Sequence, residues 1–181
     1  MQLLPVWAPN LHPLIIHFPI ALLMSAIGID LFSVIFKKHL WIRYCALTTY
    51  VMGTLAALAA YLTGHLAADS VYLPAAAHHV LHHHSELALY TLLFFAVFTV
   101  LRALSIWKSG KHFVLVSIIL LILSIPGLGL IIETGEHGAE MVFKYGVGIQ
   151  KVENMRRDEE NNMNKADSLS RATDSDRQDG F

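Results

Sequence analysis

Imidazole is the side chain whose charge changes near neutral pH and which also ligates transition metals and haem iron. Nine of the eleven histidines in this chain fall near one end of four apolar, membrane-length stretches. His12 and His17 open the first stretch and His65 closes the second. His78, His79, His82, His83 and His84 open the third, and His137 follows the fourth. Only His39 and His112 belong to the other end. An imidazole in or beside hydrocarbon is costly unless it is partnered, so this one-sided clustering points to a polar or metal-centred site at one membrane surface.

Two neutral imidazoles from different helices, meeting at similar depth, are what a b-type haem needs for axial ligation, and a four-helix bundle supplies the apolar slot. His17 lies about one turn inside the first stretch, on a face continued by Ala21, Met24 and Gly28. On the third stretch, His84 leads a stripe through Ala88, Thr91 and Phe95, and His83 leads one through Leu87, Tyr90 and Phe94. The expected haem ligands are therefore His17 and His84, with His12 and His83 as the neighbouring candidates.

A second chemistry is metal binding. His79 and His83 are four residues apart, as are His78 and His82, so a helix through the run puts each pair on one face; His65 or His137 could complete a zinc, copper or nickel set. Against both stands a packing role, in which His17 bonds a carbonyl freed by Pro19 and the surplus histidines lie on a solvated interfacial helix. Among the acids, Glu86 lies near His82, while Glu133, Glu136 and Glu140 surround His137. Asp30 stands out because its nearest basic neighbours in sequence, Lys37 and Lys38, are two turns away. No nucleophile with a base and an orienting acid can be assembled from spacing, so the chain reads as a carrier or binding module rather than an enzyme.

The elements that must position these residues are helices. With 55% hydrophobic and 15% charged residues and a mean hydropathy of +0.51, the chain is too apolar for an ordinary soluble domain of 181 residues. Spans are expected at 14–36, 41–66, 85–104 and 112–132, the first being roughly 35 Å long as a helix and able to cross with some tilt. Pro13 suits a first helical turn, Asn10 can cap it, and Pro19 removes a bond to the Ile15 carbonyl and bends the helix below His17. Gly53, Ala57, Ala60 and Gly64 give the second span a smooth face, and Pro126, Gly127 and Gly129 kink the fourth. No internal repeat is evident. The expected fold is an all-α integral membrane four-helix bundle over 1–149, with a disordered charged tail over 150–181.

Lys37, Lys38 and Arg43 follow the first span and Arg102, Lys108 and Lys111 the third, whereas 67–85 and the N-terminus carry no Lys or Arg. The positive-inside rule then puts both termini, and the histidines, on the extracytoplasmic side. No basic start or cleavage site marks the first span as a signal peptide. The formal net charge of −1 and the absence of a basic stripe exclude nucleic acid as a partner class. Cys45 is the only cysteine, which excludes an internal disulfide and covalent haem attachment.

The segment from His12-Pro13 through His17-Phe18-Pro19 to Leu22, the His84-Ser85-Glu86 segment, and the run from Gly138 to Gly146-Val147-Gly148 resemble the bacterial four-helix membrane family called domain of unknown function 2231. The resemblance covers about residues 10–149. It implies a four-span bundle in the bacterial inner membrane, with members sometimes joined to cytochrome c-like modules. Carried over, it favours His12, His17, Pro19, His84, Gly146 and Gly148; the histidines at 65 and 78–83 and the tail depart from its pattern. The reading that follows is a lipid-embedded b-type haem electron-transfer subunit serving an extracytoplasmic cytochrome or similar redox partner. The alternatives are a His-based metal-binding or transport module and a structural membrane subunit.

Overall fold

The computed structural model describes residues 10–108, 113–149, 154–166 and 168. The bundle consists of α1 (His12–Ile15), α2 (His17–Ile35), α3 (Leu40–Ala68), a 3-10 turn (Ala75–Ala77), α4 (His78–Trp107) and α5 (Phe113–Phe143), with no strand among the described residues. Four helical units are long and apolar enough to cross a membrane: His12–Ile35, Leu40–Ala68, Ala75–Trp107 and Phe113–Phe143. The protein is an all-α, multi-pass membrane bundle. Large apolar side chains such as Leu62, Tyr90, Val97 and Ile122 point outward, as expected when the solvent is lipid rather than water.

The division between α1 and α2 falls at Ile16, beside the carbonyl that Pro19 cannot bond, so the proline's missing N–H and ring clash have the expected local effect. The third span begins earlier than composition indicates, because the histidine run forms the opening turns of α4. The fourth continues to Phe143. At 31 residues it is about 46 Å long, more than a hydrocarbon core requires, so the turns bearing Glu136, His137 and Glu140 reach the interface or beyond. Gly146 (φ 66°) ends it. The Gly146 N–H bonds the Val142 carbonyl and the Val147 N–H the Met141 carbonyl, the paired bonds of a glycine-terminated helix. In the tail, residues 154–166 are helical and almost wholly exposed, and so add nothing to the core.

The buried positions reveal an internal repeat that letter matching does not. In the first span they are Pro19, Leu23, Ala26, Asp30 and Ser33; moved forward by 72 residues they fall on Thr91, Phe95, Phe98, Arg102 and Ser105, the first four also buried. In α3, Arg43, Ala46, Tyr50, Gly53 and Ala57 moved by 74 residues fall on Ser117, Leu120, Ser124, Gly127 and Ile131 of α5, all buried. The bundle is therefore two helical hairpins running in the same sense, related by a pseudo-two-fold axis along the bundle, the arrangement of a parallel repeat. Large and small residues exchange places between them. Tyr50 packs on Phe98 with ring centres 5.0 Å apart, and the positions answering them hold the smaller Ser124 and Ala26.

The equivalent glycines Gly53 and Gly127 are contact points within each hairpin. A Cβ on Gly53 would lie 2.7 Å from Leu23 Cδ2, and one on Gly127 only 2.4 Å from Phe94 Cε1 and 2.9 Å from the Phe95 ring. Gly129 has nothing within 4 Å. Gly127→Ala should therefore destabilise the bundle by about 1–3 kcal/mol through overpacking. Gly129→Ala should be neutral or slightly stabilising through helix propensity. Unfolding in detergent by urea or heat would separate the two.

Candidate functional site

The repeat brings equivalent residues face to face at each end of the axis. At one end are His12 and His84, with ring centres 6.4 Å apart and ring planes at 81°. At the other, eighteen residues further along each span, are Asp30 and Arg102.

His12 rests against α3. Its Nδ1 lies 3.3 Å from Thr63 Oγ1. Thr63 Oγ1 donates its own hydrogen to the Ala59 and Ala60 carbonyls at 2.8 and 3.1 Å. With that hydrogen committed to a carbonyl, the hydroxyl accepts from a His12 ring protonated on Nδ1; turned to the ring instead, it donates to Nδ1 and the ring proton sits on Nε2. His84 rests against α5 in the same way. Its Nδ1 is 3.0 Å from the Thr134 carbonyl, which can only accept, so this ring carries its proton on Nδ1 and keeps the Nε2 lone pair. Ala60 and Thr134 are repeat equivalents, and four residues after each stands a glycine. A Cβ on Gly64 would come within 3.1 Å of His12 Cε1, and one on Gly138 within 3.2 Å of His84 Cε1. Glycine at these positions lets each ring lie against the neighbouring helix. The result is two half-buried imidazoles, each held through Nδ1 against the neighbouring helix of its own hairpin.

Of the expected candidates, His84 is inward-facing on the stripe through Thr91 and Phe95, both buried. Its partner is His12. His17 is exposed on the outer face of α2 and makes no ring contact to His84 among the described residues. His83 is exposed and lies on the other stripe, which passes through exposed Tyr90 to Phe94, partly buried against the core. Its ring centre is 4.6 Å from that of His79 and 6.1 Å from that of His137. His65 instead packs edge-on against Tyr61 at 4.7 Å. His137 donates Nδ1–H to the Glu133 carbonyl at 2.9 Å, and His82 sits 3.5 Å from exposed Glu86. Among the described residues, no group of three or more His, Cys, Asp or Glu side chains is arranged to hold a metal ion.

The opposite end holds a buried ion pair. Arg102 Nη2 donates to Asp30 Oδ1 at 2.5 Å, and both side chains are 0% exposed. Ser33 donates to Asp30 Oδ1 at 2.9 Å, while Arg102 reaches Ser33, Ser105 and Ser117. The Arg43 guanidinium lies 3.4 Å over the Phe113 ring and donates to the Lys37 carbonyl at 2.6 Å. Asp30 Oδ2, Arg102 Nε and Tyr50 Oη are buried without hydrogen-bond partners among the described residues. Arg102 was counted in sequence with the basic loop. Extending the Thr91–Phe95 stripe by three and then four residues reaches Phe98 and Arg102 and would have turned it inward.

No curated protein and no solved structure matches the chain. A model described as predicted membrane protein (DUF2231) matches residues 8–151, and the protein, with its four membrane-length helices, belongs to that family.

Proposed function

We propose that His12 and His84 are the axial ligands of a b-type haem and that the protein is a membrane electron carrier. The observation that carries this reading is the symmetric pair of rings, each tied through Nδ1 to the opposite helix of its own hairpin. Two imidazoles on opposite sides of one metal ion, each nitrogen about 2 Å from it, have ring centres roughly 6 Å apart, and the separation here is 6.4 Å. A pseudo-two-fold site suits a group with two equivalent opposed coordination positions. Helices pack more extensively within each hairpin than across the divide, so the looser plane lies between the rings. Gly64 and Gly138 face the His12 and His84 rings themselves and so seat each imidazole against its own hairpin. When bound, haem supplies reversible one-electron transfer; the chain orients the imidazoles and surrounds them with apolar side chains.

The positive-inside rule supports an inner-membrane topology with this site at the extracytoplasmic surface, accessible to a redox partner there. Absorption spectra of the detergent-purified protein, oxidised and reduced, test the reading. A Soret band approaching one haem per chain is expected after expression with added haem precursor; its absence under those conditions overturns the proposal.

A further inference from the structure

We infer that the seam between α4 and α5 is a binding site for one anionic phospholipid, its headgroup at Lys108 and an acyl chain along the furrow. Two grooves of about 310 and 340 Å³ lie on this seam and share Leu101. Leu93, Val97, Leu101 and Leu104 of α4 form one wall, and Val116 and Leu123 of α5 belong to the other. From Lys108 to Leu93 is fifteen residues, about 22 Å of helix, close to the length of a long acyl chain. Apart from Ser105 at its mouth the furrow is apolar, and it ends at one ammonium group, the chemical order of a phospholipid rather than of a second apolar helix.

Charge decides the headgroup. Among the described residues, Asp30 is the only acidic residue at this end, because 31–68 and 87–132 contain no Asp or Glu, whereas Lys37, Lys38, Arg43, Arg102 and Lys108 all belong to it. Asp30 is consumed by Arg102. Arg43 lies against the Phe113 ring, which also lines the groove, and has no carboxylate partner among the described residues. Ser105, at the groove mouth, has its hydroxyl occupied by Arg102 and by its own helix. Among the described residues, the donor left at the mouth is Lys108, which is exposed. An uncompensated positive end beside an apolar furrow recognises a phosphate-bearing anionic lipid over a zwitterionic one.

The test uses the full chain in detergent, titrated with phosphatidylglycerol or phosphatidylcholine and read by native mass spectrometry. The expected result is one retained phosphatidylglycerol per chain in preference to phosphatidylcholine. Lys108→Gln should weaken that retention roughly fivefold, as about 1 kcal/mol per basic residue implies. Leu104→Trp, which fills the furrow while leaving Lys108 in place, should reduce retention of both lipids. Equal retention of the two lipids, phosphatidylglycerol binding unchanged in both variants, or a furrow occupied by a second copy of the chain in cross-linking would overturn the inference.

Discussion

His12→Ala and His84→Ala should each reduce haem affinity by more than about 100-fold, because loss of a ligand exceeds the 10–100-fold cost of losing one of its supporting hydrogen bonds. His17→Ala should leave haem content unchanged. The contrast matters because His17 is the histidine that depth and helical face recommend from sequence, whereas the structure turns it outward and sets His12 6.4 Å from His84. The three variants can be compared as haem per chain after identical expression, with circular dichroism to establish that each is folded. Haem retained in His12→Ala and lost in His17→Ala would reverse the assignment.

The other large effect belongs to the opposite end of the axis. Arg102→Leu leaves Asp30 as an uncompensated charge at 0% exposure, and removing one partner of a buried pair costs about 3–5 kcal/mol. Asp30→Leu should cost a similar amount by stranding Arg102. The double variant Asp30→Leu, Arg102→Leu should recover most of the loss, since replacing both charges by apolar residues is often close to neutral. Denaturation of the four proteins in one detergent gives the cycle directly; additive single losses would contradict a mutual pair. The exchange Asp30→Arg, Arg102→Asp also follows from the repeat. The two positions are equivalent across the axis, so the swapped pair should be more stable than either single reversal.

These two ends explain how much could be read from the chain and where reading stopped. Four spans were legible because hydrocarbon demands long apolar helices, and the bend at Pro19 followed from one missing N–H. On spacing alone either His83 or His84 could face inward; the structure turns inward the stripe of His84, through Thr91 and Phe95. His12 was underrated because it precedes the apolar run, yet α1 is already helical there and Gly64 lets its ring lie on α3. The repeat was hidden because its halves conserve burial rather than identity: Ala26 answers Phe98, Tyr50 answers Ser124, and Asp30 answers Arg102. Each such exchange keeps the volume or charge of the pair while erasing the resemblance of its members. Arg102 was obscured for a related reason, since a basic residue near a loop reads as a topology signal until its helical phase is followed.

The central claim is that one imidazole from each hairpin ligates the same iron across the pseudo-two-fold axis. Electron paramagnetic resonance of the oxidised, haem-loaded protein tests it most directly. Two axial imidazoles should give a low-spin ferric signal, strongly anisotropic if the ring planes keep the near-perpendicular angle of 81°, and His12→Ala or His84→Ala should convert any residual haem to high spin. A high-spin signal from the unsubstituted protein, or a low-spin signal that survives both substitutions, would contradict the account.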